Sequence, residues 1–194
     1  KKTDNEDNFI SEVCAMQVEL YTKEGITENV LMTYVERLQN LTEWYRQLWA
    51  ESLGKGGFGV TPIDALGTVD QHSQLQLYMD GPHNKFYSFF LKEKDSKALK
   101  ITKSYNAGFD YLLNKSLDDI MDIEAKSTVE VLNKRGLPVR VFTFKELNEK
   151  ALSQILMQYM LETIIVGKAL GINPFGQQAV EERKILAREM MKNL

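Results

Sequence analysis

Five side chains in this sequence have the types and spacing to move protons or to hold an oxygen-rich anionic ligand: Gln47, Glu51, His72, Gln177 and Lys184. Glu51 follows Gln47 by one helical turn, so both lie beside an apolar stripe that contains Trp44, Leu48 and Trp49. A carboxylate partly withdrawn from water there would hold its proton more tightly and could act as a general base near neutral pH. The alternative is a solvated carboxylate at a helix end. His72 stands in "DQHSQLQ", where Asp70, Gln71, Ser73 and Gln74 could hold its ring in one tautomer for acid–base work, or where it could sit exposed at a turn. Lys184 follows Val180 by four residues, on a stripe continued by Ala187 and Met191; it either polarises a ligand oxygen or lays its stem along apolar surface and reaches water. Gln177 is on the same face two turns earlier, near a helix N-terminus that favours an anion. His83, next to Pro82, reads as an exposed turn residue. No HExxH or two-histidine–carboxylate spacing is present to bind a metal.

The glycine-rich run "AESLGKGGFGV" at 50–60 invites a phosphate-binding reading, but its context opposes one. A nucleotide loop needs a strand before the glycines and Lys-Ser/Thr leading into a helix after them. Here a helix comes first and Lys55 precedes most of the glycines, so neither that motif nor the dinucleotide fingerprint fits. Gly54 reads as the cap that ends the helix carrying Glu51, and the remaining glycines as a flexible link towards His72.

These residues need elements to position them, and the periodicity supplies a coarse map. Helical spacing runs through "NFISEVCAMQVELYTKEGI", through "ERLQNLTEWYRQLWAESLGK" with Leu38, Leu41, Tyr45, Leu48 and Ser52 on one stripe, and over about 116–135, 149–170 and 177–193. A short helix fits "VDQHSQLQLYMDGP". Strands are expected at 28–35, 85–94 and within "LPVRVFTFKEL". Strands separated by helices, with no hairpin signal, predict an α/β fold with a mainly parallel sheet covered on both faces. Three strands are few for such a sheet, which suggests part of a larger or partnered unit.

Composition narrows the function classes. With 194 residues, 43% of them hydrophobic, the chain can bury one sizeable core. A net charge of −3 from 24 basic and 27 acidic residues provides no basic surplus for nucleic acid or an anionic membrane surface, so a small-molecule partner is expected. One cysteine, Cys14, leaves no internal disulfide and no Cys-cluster zinc site. The apolar stretch 155–171 is broken by Gln158, Glu162 and Lys168 and reads as a core helix rather than a membrane span. The chain starts at Lys1 with the polar run "KKTDNEDN", so residues 1–10 read as a disordered leading segment and further sequence upstream is expected.

The order of the motifs adds what no single one carries. "QLWAESLGK", "DQHSQLQLYMDGP", "ELNEKALSQILMQYMLETIIVGKALGINPF" and "QQAVEERK" closely resemble, in this order, the C-terminal part of the glucose-6-phosphate isomerase family, bacterial forms especially, from about residue 11 to 194. The resemblance implies a three-layer αβα sugar-isomerase (SIS) domain over 11–175 followed by a C-terminal helix over 176–194. It implies aldose–ketose isomerisation of glucose 6-phosphate to fructose 6-phosphate through an enediol, in glycolysis and gluconeogenesis, in the cytoplasm and without a cofactor. By the same resemblance Glu51 matches the base that shuttles the proton, and His72 matches the histidine that opens the sugar ring and reaches the neighbouring subunit's site in a homodimer. Lys184 matches the lysine that assists ring opening, and Gln47 and Gln177 match glutamines near the sugar phosphate. Two positions depart from the family pattern: Gly176 stands where Asp or Asn usually precedes the glutamine, and Arg183 replaces a small residue before the lysine. The family's N-terminal sugar-isomerase domain, which holds the substrate phosphate, is missing from this sequence. A non-catalytic sugar-phosphate-binding module is therefore the alternative.

Overall fold

The strands β1 (Glu28–Thr33) and β3 (Lys85–Lys92) are almost wholly buried along their length, as expected of central parallel strands covered on both faces. In the computed structural model, which describes residues 9–94 and 98–194, they form the middle of a four-stranded, fully parallel sheet. The strand order is β2-β1-β3-β4, with β2 at Thr61–Leu66 and β4 at Val139–Phe144 on the edges. The leading segment 1–10 lies mostly outside the described residues; Phe9 and Ile10 already belong to helix α1 (Phe9–Thr22).

Alternation along the strands divides the core in two. Leu31, Phe86 and Phe90 face one side, where α1, α2 (Gln39–Leu53) and α5 (Glu149–Ala169) contribute Cys14, Tyr45, Trp49, Tyr159 and Val166. Val30, Met32, Tyr87 and Phe89 face the other, against Tyr78 of α3 (Leu75–Asp80) and Ala125 and Leu132 of α4 (Leu117–Lys134). The result is the expected three-layer αβα arrangement. Local sequence starts the helices where the periodicity placed them: Ser116 and Asp119 form a reciprocal capping box on α4, and the Asn148 side chain accepts the Ala151 N–H at 3.0 Å on α5.

The fourth strand, β2, goes beyond the three expected. It carries Pro62 and Asp64 and lacks clear alternation, and all but Ala65 of it is at least partly exposed. An edge position explains this, because an edge strand can lack one N–H and needs little apolar surface. The Gly-rich segment before it is also not a loose link. Gly56 and Gly57, at φ +62° and +79°, form a tight turn closed by Lys55 N–H to the Phe58 carbonyl (3.0 Å) and Phe58 N–H to the Lys55 carbonyl (3.1 Å). Two successive left-handed residues are what glycine permits at little steric cost.

The core also holds charge that hydropathy disguised. Glu162 of α5 is completely buried, receives the Arg140 guanidinium at 2.9 Å and accepts from Gln17 (3.0 Å) and Gln158 (2.8 Å). Arg140 also donates to Tyr159 (3.2 Å) and Ser88 (3.2 Å), which ties α1, α5, β3 and β4 together. An ion pair with this many partners offsets the desolvation of both charges. Asn29 does similar work between α1 and α2, accepting from Tyr21 (3.0 Å) and donating to Tyr45 (2.9 Å).

The crossover α2 sets where the candidate residues lie. It runs antiparallel to the strands, and the Arg46–Asp64 ion pair fixes its middle to the middle of β2. The end of α2 that carries Glu51 therefore reaches the sheet edge where strands begin. His72 follows the opposite end of β2. Six residues of strand separate the two edges by roughly 17 Å.

Candidate functional site

Glu51 is half-buried near the end of α2. The face this helix buries is rotated from the expected stripe: Trp49 and Leu53 are in the core, while Leu48 and Ser52 sit half-exposed beside Glu51. Both carboxylate oxygens accept hydrogen bonds, Oε1 from Gln47 at 3.3 Å and Oε2 from Gln177. Three of the five predicted residues thus meet at one point, and one of them arrives from more than 120 positions away in sequence. The side chain is held from two sides.

The segment that brings Gln177 there is the connection between α5 and α6 (Gln178–Lys192). Gly167 lets α5 pass close to the end of α2, since a Cβ at this position would stand 2.9 Å from Leu53 Cδ2. Gly176 takes a left-handed conformation at φ +78°. Asp and Asn are the non-glycine residues that best tolerate that region, so the Asp or Asn implied by the resemblance would be compatible with this backbone. Sequence reading passed over Lys55, whose ammonium donates to the carbonyls of Asn173 (2.8 Å) and Phe175 (3.1 Å). Its signals were its place between Gly54 and Gly56 and at the end of the resembling segment "QLWAESLGK". Between the glycine turn and this connection runs an open groove of about 1150 Å³, with Glu51, Lys55, Asn173 and Gln177 on its walls. A separate cleft of about 360 Å³ between the N-terminal ends of α2 and α5 is lined mainly by Leu38, Leu41, Trp44, Leu152 and Leu156 and has none of the five candidates.

His72 is exposed, at the end of a short 3-10 turn over Val69–Gln71. Its polar neighbours tie down the loop around it rather than the ring. The Asp70 carboxylate accepts the Leu66 N–H (2.6 Å) and the Ser73 hydroxyl (2.8 Å), and these bonds lower its pKa against the opposing effect of burial. Gln71 accepts the Tyr34 hydroxyl at 2.5 Å and donates to Glu124 at 3.0 Å. The Tyr34 ring leaves room only for glycine at position 67, where a Cβ would approach it to 2.6 Å. The loop is firmly anchored and presents the imidazole outward. His83 is exposed, as expected.

Lys184 does not reach Glu51. It lies on α6 and pairs with Glu181 at 2.6 Å, a residue that lines a further cleft, of about 460 Å³, together with Glu51 and Gln177. No residue of α6 is buried, and its Val180, Ile185, Leu186, Met190 and Met191 are exposed. Among the described residues, no group of three or more His, Cys, Asp or Glu is placed to hold a metal ion, and no helix is long and apolar enough to cross a membrane.

Comparison with known proteins finds relatives over most of the chain. No family model matches the chain. Over 167 residues it is 41% identical to a probable glucose-6-phosphate isomerase of Methanococcus maripaludis, a match covering 86% of this chain and 37% of that protein. It is 35% identical over 162 residues to a glucose-6-phosphate isomerase of Rubrobacter xylanophilus, covering 82% and 38%. In structure, a hypothetical protein of Thermus thermophilus superposes with a TM-score of 0.86 at 30% identity, over 96% of this chain and 46% of its own. A glucose-6-phosphate isomerase of Chlamydia trachomatis shares the fold, with a TM-score of 0.77 at 19% identity over 94% of this chain and 38% of its own. The chain is thus similar to part of the glucose-6-phosphate isomerases and spans about two-fifths of the length of these curated relatives.

Proposed function

We propose that this chain is the C-terminal portion of a glucose-6-phosphate isomerase and that Glu51 is the base that interconverts glucose 6-phosphate and fructose 6-phosphate. Residues 11–175 would form the sugar-isomerase domain and 176–194 the helix carrying Lys184. Isomerisation requires removal of a proton from C2 of the open-chain sugar and its return to C1 through an enediol. A single half-buried carboxylate at the wall of a groove can do both, provided it is held while the sugar's reacting carbons change. The observation that carries this reading is the meeting of Gln47 and Gln177 on the two oxygens of Glu51. These carboxamides hold the carboxylate and offer further N–H and C=O groups to sugar hydroxyls.

His72 would open the pyranose ring and Lys184 would assist that opening and stabilise charge on the sugar oxygen. With Glu51 and His72 at opposite edges of one sheet, a shared site needs a second copy, so the reading includes a homodimer in which His72 reaches its partner's groove. The phosphate grip would come from an N-terminal sugar-isomerase domain, and binding energy gained there would orient the sugar at Glu51. The place of this reaction is central carbohydrate metabolism, glycolysis and gluconeogenesis, in the cytoplasm, with no cofactor.

A coupled isomerase assay on the full-length enzyme tests the assignment. Glu51→Gln keeps the shape and removes the base, and kcat should fall by roughly 10²–10⁴-fold. Turnover at the wild-type rate in this variant would end the assignment.

A further inference from the structure

We infer that Lys55 is a positioning residue: its ammonium clamps the α5–α6 connection so that Gln177 stays seated on Glu51. The inference rests on Glu51 being the base. Its geometry is a closed circuit of short contacts. The Gly56–Gly57 turn fixes the backbone of Lys55 through paired hydrogen bonds of 3.0 and 3.1 Å with Phe58. From that fixed base Nζ donates to two carbonyls two residues apart, Asn173 at 2.8 Å and Phe175 at 3.1 Å. The connection is braced from within by the Phe175 N–H, which donates to Asn173 Oδ1 at 3.1 Å. Two residues past Phe175, Gln177 reaches back to Glu51, four positions before the lysine where the circuit began.

The chemistry explains why a lysine suits the position. An ammonium brings three donors and a full charge, so its bonds to carbonyls are stronger than neutral ones. The connection's other ties lie at its start, where the Ile172 N–H donates to the Gly167 carbonyl at 2.8 Å and the Ile172 side chain packs on the core; towards Gln177 the left-handed Gly176 at φ +78° follows, and the helix beyond buries no residue. Without the clamp, Gln177 would leave the carboxylate and Glu51 would sample orientations unproductive for proton transfer.

The test uses the full-length enzyme and two readouts. Hydrogen exchange across 172–178 should speed up in Lys55→Met while the strands stay protected. In the coupled assay, kcat should fall about 10-fold in Lys55→Met and recover most of that in Lys55→Arg, whose several donors can still reach both carbonyls. Combined with Gln177→Ala, Lys55→Met should add little further loss, because both act through one contact. Unchanged exchange at 172–178, a wild-type kcat in Lys55→Met, or losses that multiply in the double variant would each overturn the clamp. If Glu51→Gln is inactive while Lys55→Met turns over at the wild-type rate, the clamp alone is wrong. If Glu51→Gln turns over normally, the base assignment beneath it is wrong.

Discussion

The two edges of the sheet are built on opposite plans. At the edge where the strands begin, side chains are wired to one another: Gln47 and Gln177 meet on Glu51, and Lys55 holds the connection that delivers Gln177. At the edge where they end, the residues flanking the histidine are wired and the histidine side chain itself is left free. Asp70 and Gln71 pin the loop through Leu66, Ser73, Tyr34 and Glu124, and the His72 ring makes none of these bonds. The first plan suits a group that must act on a ligand in this chain's own groove. The second suits a group presented on a rigid platform to something outside.

Substitutions should separate the plans by the size and kind of their effects. The largest loss is expected from Glu51→Gln, roughly 10²–10⁴-fold in kcat, with the fold unchanged by circular dichroism. His72→Asn should cost less, about 10²-fold, because ring opening also proceeds in water, and it should leave hydrogen exchange over 172–178 untouched. Equal losses at the two positions would blur the division proposed between proton transfer and ring opening. Tyr34→Phe reaches the second edge only through Gln71, the neighbour of His72. Its hydroxyl donates to Gln71 (2.5 Å) and lies 3.1 Å from the Thr128 hydroxyl, so its removal should destabilise by about 1–2 kcal/mol in urea melts and speed exchange at 67–74. Faster exchange at 172–178 instead would contradict the independence of the two edges.

The smallest effect is a shared alkaline weakness. Burial raises the Tyr34 phenol from 10.0 to about 12, and burial, followed by the nearby Glu162 charge, raises the Cys14 thiol from 9.0 to about 11. Both groups hold their protons more tightly folded than unfolded, so their stabilisation is complete below pH 9 and is lost as pH rises through about 11 and 12. Urea midpoints should fall across that window, and Cys14→Ala should remove the lower part of the decline.

What could be read from the sequence followed from how local the signal was. Helix ends at Ser116 and Asn148 and the buried runs of β1 and β3 depend on neighbours a few residues away, and periodicity found them. The strand β2 escaped because an edge strand needs no apolar alternation. Glu162 was read as an interruption of a core helix, yet it is in the core, since its partners Arg140 and Gln17 come from other elements. In the same way Gln47 and Glu51, one turn apart, were visible as a pair. The contact from Gln177, and the clamp by Lys55 across 118 and 120 positions, depended on how the crossovers fold back.

The claim that joins the two edges is that one site takes Glu51 from one copy and His72 from another, and mixing variants tests it most directly. Full-length Glu51→Gln and His72→Asn enzymes, each nearly inactive, would be unfolded together, refolded and assayed. If sites are shared in a dimer, half of the mixed dimers are hybrids with one intact site each, and activity should return to about one quarter of wild type. Activity that stays at the level of the separate variants, with hybrids verified by mass, would contradict the shared site.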